Sequence, residues 1–395
     1  MKIKLISAIG RNNELGKNNN LIWHLPNDLK FFKETTLNKT VVMGYNTYKS
    51  LPKSLKDRRM VVLYNKEIEG VEVYKNEYEM LIDLKDEEEI FIIGGSTLYN
   101  TFIDIADELY LTEINAECEE ADVYFPNFDK KLWKSKVIGK DSDNGIDYKF
   151  VHYTRKNKIE RGKLLLIEGT DCSGKETQSK LLIEKLNKDN IKSFRISFPM
   201  YDSPTGRIIG ACLLGKPYLC EEYFKEGIYG WFKEGGGNID PLTAIDFYAA
   251  DRRYNLPKIL VLLGHGINVI LDRYVTSNMA HRGGMILDKK KRLAMYEIIR
   301  QKEYVLNELP EPDMTYLLYM PYQNAYELKK QRAEALDEAE SNDKYLKNGE
   351  KAYLELAKIY NYDIIKCTRG KKIRTIEDIN NELYDKVKNI FNKGE

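Results

Sequence analysis

The stretch that decides the fold of the second half of the chain is GTDCSGKET, residues 169–177. It lies between the apolar run LLLIE and the amphipathic stretch TQSKLLIEKLNKDN, so it forms a turn between a buried strand and a helix. A turn of this kind directs backbone N–H groups at a phosphate, and its lysine reaches the β and γ phosphates. The alternative is a glycine-rich turn with a chance lysine. The pattern favours an ATP-binding loop formed by Gly169, Cys172, Ser173, Gly174, Lys175, Glu176 and Thr177.

Glu176 departs from the phosphate-loop pattern, which has serine or threonine at this position to bind Mg²⁺ through a hydroxyl. Three explanations stay open. Glu176 points away, Thr177 acts indirectly, or Mg²⁺ is held chiefly by nucleotide and water oxygens, as it often is. We therefore expect Mg²⁺ to accompany ATP, with no protein ligand assigned.

Composition limits the classes of function. The 395 residues exceed one typical core and predict two or three domains. With 62 Lys+Arg against 61 Asp+Glu, the chain lacks the charge of a bulk nucleic-acid or membrane binder. Its five scattered cysteines favour a reducing compartment over disulfides or a zinc site. Because no apolar run approaches the roughly 18 residues of a spanning helix, we expect a cytoplasmic protein.

Two α/β patterns follow one another along the chain. The first contains the apolar runs LISAI, VVMG, RMVVLY, EIFIIGG and ELYLTEI, separated by turns and helices. The charged stretch TRKNKIERGK interrupts the pattern, and strand–helix–strand units then restart, which indicates parallel strands with right-handed crossovers. We predict domains at residues 1–157 and 164–395, joined by a linker at 158–163.

Three further segments of the second half carry candidate binding residues. FPMY ends at Tyr201, YAADR places Tyr248 and Arg252 four residues apart on one helical face, and DRYVTSN begins at Asp272. Open α/β sheets bind ligands where their strands end, and DRYVTSN follows a buried strand. Taken singly, each segment has an ordinary explanation, such as a turn or a surface contact between an aromatic ring and an arginine.

Together and in this order, residues 163–395 resemble thymidylate kinase. The resemblance implies that Asp171 contacts the sugar 3′-hydroxyl, Tyr248 stacks on thymine and Arg252 donates to the base oxygen O4. It also implies that Arg273 holds the donor and acceptor phosphates together and that Asn278 contacts the base edge. The predicted dTMP-binding set is Asp171, Tyr201, Tyr248, Arg252, Arg273, Ser277, Asn278 and His281, and Lys175 and Arg273 are predicted to be catalytic.

Two departures from the kinase pattern change the expected roles. His281–Arg282 replaces a Tyr–Gln pair common in the family, so discrimination against a ribose 2′-hydroxyl falls to His281. Cys172 leaves the phosphate loop without an arginine that could stabilise the transferring phosphoryl group. The resemblance therefore assigns this role to Arg332 in the lid segment QRAEALD. The alternative for Arg332 is an ordinary solvated helix face.

In the first half, Asp28 follows Leu-Pro-Asn at a helix start. Such a residue is most often a capping carboxylate. We expect Leu29, Phe31 and Phe32 to surround it with apolar side chains, an environment that suits a carboxylate for proton chemistry or for binding a cationic heterocycle.

The set IWHLPNDLKFFKETT, VVMGYNTYKSL, EIFIIGGSTLY and LYLTEI resembles dihydrofolate reductase across residues 1–157. The resemblance implies that Asp28 binds the pterin and assists its protonation, supported by Thr112, and that Arg58 binds the glutamate α-carboxylate. The predicted folate-binding set is Ala8, Asp28, Phe32, Arg58, Ile93 and Thr112, and the predicted cofactor-binding set is Gly94, Gly95, Thr47 and Ser50.

The reductase pattern fails where relatives usually hold the 2′-phosphate of NADPH. Tyr45, Tyr64–Asn65 and Thr97 occupy those positions, and Lys66 is the nearest substitute. NADPH is the cofactor that the resemblance implies, and NADH is not excluded.

The chain is thus expected to be a bifunctional α/β enzyme. Its first half combines a dihydrofolate reductase-like mixed sheet with flanking helices, and its second half is a P-loop kinase with a parallel sheet and helices on both faces. The substrates would be dihydrofolate, dTMP and ATP, and the resemblance is compatible with a homodimer through the kinase half. The alternatives are a kinase for another nucleoside monophosphate, or a chain in which one domain has lost catalysis and serves as a binding module.

Overall fold

The computed structural model describes residues 1–18, 20–51, 54–220, 232, 239–330 and 343–392. The chain divides into two compact units, Met1–Glu160 and Arg161–Glu395. The division falls inside the segment 158–163, and the domain limits stay a prediction. Among the described helices, none combines the length and apolar character needed to cross a membrane.

A mixed sheet forms the centre of the N-terminal unit. The strands of this unit are β1 (Lys2–Ile9), β2 (Glu14–Lys17), β3 (Asn20–Leu21), β4 (Thr40–Gly44), β5 (Arg59–Leu63), β6 (Glu72–Tyr74), β7 (Glu89–Gly94), β8 (Glu108–Ile114), β9 (Val123–Tyr124), β10 (Trp133–Asp143) and β11 (Ile146–Arg155). Eight of them form one sheet in the order β10-β11-β8-β1-β7-β4-β5-β6, and β3-β2-β9 form a small second sheet. Strands β1 and β4 to β8 run parallel, whereas β11 pairs antiparallel with both β8 and β10.

Helices flank this sheet. They are α1 (Pro26–Thr36), α2 (Tyr45–Ser50), α3 (Glu77–Asp83) and α4 (Ser96–Phe102). Val41, Val42 and Met43 on β4 are all fully buried, so both faces of the central sheet are covered, as the uninterrupted apolar runs predict. The predicted mixed sheet with flanking helices is confirmed.

The C-terminal unit is built on a parallel sheet. Its strands are β12 (Leu164–Gly169), β13 (Ser193–Ser197), β14 (Asn268–Asp272), β15 (Met314–Tyr319), β16 (Asp363–Lys366), β17 (Thr368–Arg369) and β18 (Lys372–Ile373). Five of them pair in parallel in the order β13-β14-β12-β15-β16, and β17 and β18 form a short hairpin.

Eight α-helices of this unit are described: α5 (Lys175–Lys188), α6 (Pro204–Ile208), α7 (Pro241–Gly264), α8 (Val275–Arg282), α9 (Lys289–Arg300), α10 (Tyr322–Lys330), α11 (Asp343–Ile359) and α12 (Ile376–Asn392). Consecutive residues of β12 point to opposite faces of the sheet, and Leu164 to Ile167 are all fully buried. Both faces are therefore covered, which confirms the predicted P-loop architecture. The segments that follow β12, β13 and β14 meet at the carboxyl edge of this sheet, where the predicted kinase residues lie.

Candidate active sites in the two units

Asp28 lies in the first turn of α1, where it accepts a 2.6 Å hydrogen bond from the hydroxyl of Thr112 on β8. The residue preceding the helix is Leu25, so Asp28 lies inside the helix, and its bond goes to the sheet. Burial raises the pKa of Asp28, the Thr112 hydrogen bond opposes this effect, and the charge of Asp143 adds to it. Asp28 is therefore a carboxyl group with increased proton affinity.

Three further residues predicted to bind the pterin lie on β1, α1 and β7. Ala8 on β1 is paired in register with Thr112, and Phe32 and Ile93 pack against the core cluster that contains Ile6. Leu29 is 42% exposed, so the expectation that it encloses Asp28 is wrong: it lies on the solvent side of the helix.

Arg58 is fixed to the other end of α1. Its Nε donates to Thr36 Oγ1 at 2.8 Å and its Nη2 donates to the Lys33 carbonyl at 2.8 Å. Since Asp28 and Thr36 are eight residues apart on the helix, their backbone positions are separated by about 12 Å along its axis. The helix thus presents an acid at one end and a cation at the other.

The four predicted cofactor residues lie together. A side chain on Gly94 would meet Thr47 Oγ1 at 3.1 Å, and one on Gly95 would meet it at 3.4 Å. Gly94 also has a backbone φ of +133°, which residues with a side chain rarely adopt. The Ser50 hydroxyl donates to the Thr47 carbonyl at 2.8 Å. The absence of side chains at the two glycines therefore lets their backbone pack closely against Thr47.

Two of the positions that depart from the reductase pattern contact each other. The rings of Tyr45 and Tyr64 stack with centroids 4.0 Å apart and planes 9° apart. The ammonium of Lys49 lies 5.6 Å from the centre of the Tyr45 ring. An aromatic pair therefore occupies the positions where the resemblance places groups that bind a 2′-phosphate.

In the C-terminal unit, the phosphate loop holds a buried ammonium. Lys175 Nζ donates to the carbonyls of Gly169 at 2.9 Å and Thr170 at 3.1 Å. Burial and the charge of Arg273 lower the pKa of Lys175 to about 8. The hydroxyl of Ser173 is buried and has no hydrogen-bond partner among the residues that the structure describes. A buried cation beside an unpaired hydroxyl fits a phosphate group.

Glu176 points away from the loop. Its carboxylate forms an exposed ion pair with Lys180 one turn further along α5, at 2.7 Å. The neighbouring Thr177 is exposed as well. Within the described parts of the chain, no group of three or more His, Cys, Asp or Glu side chains is arranged to hold a metal.

Charged groups converge where β12 and β14 end. Arg273 Nη1 lies 3.5 Å from His281 Nε2, and Tyr353 Oη lies 3.3 Å from the same nitrogen. Burial lowers the pKa of His281, Asp171 opposes this effect, and Arg273 and Lys175 add to it. The structure thus brings Asp171, Lys175, Arg273 and His281 together.

The sequence interpretation missed Glu168, the last residue before Gly169. Its carboxylate is fully buried and accepts hydrogen bonds from Ser277 Oγ at 2.9 Å, Tyr353 Oη at 3.1 Å and the Tyr274 amide at 3.1 Å. It therefore ties the phosphate loop to α8 and α11. An acidic residue inside the apolar run LLLIEG was the signal that could have identified it.

The predicted base contacts of Arg252 and Asn278 meet a different environment. Arg252 is 2% exposed and forms a bidentate ion pair with Glu303, with Nη2 to Oε1 at 2.6 Å. Asn278 Nδ2 donates to the same carboxylate at 3.0 Å. Both side chains are engaged in a buried network, and their roles as base-binding residues stay predictions.

Two tyrosines predicted to bind dTMP lie near cations. The hydroxyl of Tyr201 accepts from Lys216 Nζ at 3.2 Å, and the Lys216 ammonium lies 4.6 Å from the centre of the ring. Burial raises the pKa of Tyr248, and Arg282 opposes this effect through its charge and a hydrogen bond. Arg332 and the segment 331–337 lie outside the described residues.

Comparison with known proteins divides the chain in the same way. Residues 2–155 match the family model described as dihydrofolate reductase, and residues 230–379 match the model described as thymidylate kinase. Dihydrofolate reductase from Bacillus subtilis (strain 168) is 38% identical over 166 residues, which cover 40% of this chain and 98% of that protein. Dihydrofolate reductase type 3 from Salmonella typhimurium is 40% identical over 161 residues, covering 39% and 99%. A solved structure of dihydrofolate reductase from Enterococcus faecalis complexed with NADP(H) and RAB-propyl is 32% identical with a TM-score of 0.37, covering 40% and 97%.

Proposed function

The N-terminal part of the chain belongs to the dihydrofolate reductase family, and residues 230–379 match the thymidylate kinase model. We propose that the chain catalyses both reactions. One reaction reduces dihydrofolate to tetrahydrofolate with NADPH, and the other transfers the γ-phosphoryl group of ATP to dTMP. Both lie beside thymidylate synthesis: one regenerates the reduced folate and the other uses the nucleotide product. The cytoplasm is the proposed location.

For the reductase, the observation that carries the proposal is the hydrogen bond between Thr112 and Asp28 in a partly buried site. We assign Asp28 to binding the pterin and assisting its protonation, because a carboxyl with increased proton affinity can hold the proton that the ring nitrogen requires. Ala8, Phe32 and Ile93 would line the pterin site, and Arg58 would bind the glutamate carboxylate.

The cofactor would lie beside Gly94, Gly95, Thr47 and Ser50, which pack so closely that a side chain on either glycine would meet Thr47. When bound, NADPH supplies the hydride that is transferred to C6 of the pterin. Since Tyr45 and Tyr64 replace polar groups near its 2′-phosphate, NADH is the second candidate cofactor.

For the kinase, the observation that carries the proposal is the buried ammonium of Lys175 beside Ser173 and Arg273. Phosphoryl transfer depends mainly on positioning and on stabilising negative charge, and this group of residues supplies both. Lys175 would hold the ATP phosphates, Arg273 would contact both donor and acceptor, and Asp171 would contact the sugar. Mg²⁺ would be bound by nucleotide and water oxygens and would neutralise phosphate charge, since Glu176 points away.

A panel of substrates tests both activities on the full chain. We expect ATP-dependent phosphorylation of dTMP in preference to dCMP, dGMP and UMP, and oxidation of NADPH that requires dihydrofolate. Equal rates on all four monophosphates would overturn the thymidylate assignment. Absence of turnover in either assay would assign the corresponding domain to binding alone.

One observation favours a second candidate for the kinase. The donors of Arg252 and Asn278 are directed at Glu303, so the groups expected to recognise thymine are already satisfied inside the protein. In a kinase for another deoxynucleoside monophosphate, Arg252 and Asn278 would keep their bonds to Glu303 when the substrate binds. In the same panel, a preference for any base other than thymine would support this candidate.

A further inference from the structure

Asp143, the last residue of β10, lies at the start of α1. Asp143 Oδ2 accepts a long 3.4 Å hydrogen bond from the backbone amide of Asn27, the residue before Asp28. Leu25, at the N-cap position, provides no side-chain acceptor for the helix. A carboxylate more than 100 residues away in the sequence therefore performs the role that a capping side chain usually has.

Tyr148 fixes the position of this carboxylate. Its hydroxyl donates to Asp143 Oδ2 at 2.5 Å, and the residue is 4% exposed. The ring packs in a cluster with Leu25 and Ala8, and its centroid lies 5.6 Å from that of Phe150. Ala8 belongs to the predicted pterin site and Leu25 precedes α1, so Tyr148 packs the β10–β11 hairpin against both the pterin site and the start of the helix.

We propose that Asp143 is a positioning residue of the reductase site, which holds the first turn of α1 in place and keeps a second negative charge beside Asp28. The inference rests on the proposed reductase function. It adds a residue from the β10–β11 hairpin to a site otherwise formed by α1, β1, β7 and β8.

Among the described groups that face Asp28, Asp143 is the one that carries a charge. Thr112 on β8 is neutral, and Tyr99 on α4 and Tyr148 on β11 stay protonated, because burial raises the pKa of both phenols. Like charges disfavour each other's ionisation, so the Asp143 carboxylate helps Asp28 to retain its proton. Removing that charge should lower the pH at which Asp28 ionises.

The test compares two single variants of the full chain. Asp143→Asn removes the charge and keeps an oxygen acceptor, and Asp147→Asn makes the same charge change at an exposed position of the same hairpin. The readout is the pH dependence of kcat/KM for dihydrofolate at saturating NADPH. For Asp143→Asn we expect the apparent pKa to fall by roughly 0.5 to 1 unit, which lowers the rate on the alkaline side about three- to tenfold. For Asp147→Asn we expect the wild-type profile.

Each remaining outcome decides the proposal. An unchanged profile in Asp143→Asn, or an equal shift in Asp147→Asn, would overturn it. A uniform loss of rate at every pH would mean that Asp143 only stabilises the fold, and would also overturn it. Should Asp143→Asn fail to fold, Tyr148→Phe keeps the charge but releases the carboxylate, and a smaller shift in the same direction is expected; no shift would contradict the proposal.

The proposed function and this inference fail separately. The Asp28 carboxyl can be titrated directly by ¹³C NMR in labelled protein, with its signal assigned from its loss in Asp28→Asn. A full reductase rate in Asp28→Asn would refute the role of Asp28 in the reaction. An unaltered titration of Asp28 in Asp143→Asn would refute the role of Asp143 alone.

Discussion

Arg252 and Glu303 form a buried ion pair in the C-terminal unit, and their side chains are 2% and 0% exposed. Arg252 Nη1 also donates to the Tyr274 carbonyl at 3.3 Å, and Asn278 shares the Glu303 carboxylate. The pair therefore joins α7, α8 and the helical turn 301–306 that follows α9. Removing one partner of such a pair leaves the other charge buried and uncompensated.

We predict that Glu303→Gln lowers the free energy of unfolding of the C-terminal unit by about 3–5 kcal/mol, the cost of breaking a buried pair. Thermal unfolding followed by calorimetry measures the loss. The matched control is Glu308→Gln, which breaks the exposed pair of Glu308 with Arg253 and should cost about 1 kcal/mol or less. Equal losses of unfolding free energy in the two variants would mean that the buried pair stabilises the fold no more than the exposed pair does.

Much of this architecture follows from local sequence patterns. The buried runs predicted the parallel strands, and the GTDCSGKET stretch located the loop in which Lys175 and Ser173 lie together, because strand, glycine turn and helix are adjacent in the sequence. Glu303 and Asp143 carry no such signal. Each acts on a residue 51 or 116 positions away, so the contact depends on the assembled fold and not on spacing. The bond between Asp28 and Thr112 joins residues 84 apart, so local spacing could not predict it, and the sequence pointed to it only through the family resemblance.

Asp28→Asn should reduce dihydrofolate turnover at neutral pH about 10²- to 10⁴-fold, the usual contribution of a positioned proton donor. Kinase activity of the same protein serves as the internal control and should be unchanged. Full reductase activity in the variant would mean that the carboxylate has a structural role only.

The same substitution has a signature in stability. The pKa of Asp28 is raised in the folded state, so its protonated form favours folding, and this stability is lost as pH rises through the folded pKa. Wild-type protein should therefore lose more stability than Asp28→Asn between acid and neutral pH. Denaturant unfolding of the N-terminal unit across that range measures the difference, and parallel curves for the two proteins would contradict it.

Lys175→Met should lower kinase activity about 10²- to 10³-fold, as expected when one donor to a developing negative charge is removed. The pKa of Lys175 is lowered to about 8, so folding favours the neutral amine and stability rises as pH increases from that value toward the ordinary lysine pKa. Without nucleotide, the wild type should gain stability relative to Lys175→Met over this alkaline range. Lys180→Met, which removes an exposed lysine of the same helix, should behave like the wild type.

The stacked pair of Tyr45 and Tyr64 leads to a prediction about cofactor choice. Neither phenol carries a positive charge, whereas the guanidinium of an arginine can pair with a 2′-phosphate through two parallel hydrogen bonds. Tyr45→Arg should therefore lower the KM for NADPH about tenfold, equivalent to one charged hydrogen bond, and leave the KM for NADH unchanged. Steady-state kinetics with both cofactors measures the two values. Tyr45→Gln disrupts the stack without adding charge and should leave the ratio of the two values as in the wild type. A parallel change of both KM values in Tyr45→Arg would place residue 45 away from the 2′-phosphate. The cofactor preference would then have to come from other residues, and the nearest candidate is Lys49, whose ammonium lies 5.6 Å from the centre of the Tyr45 ring.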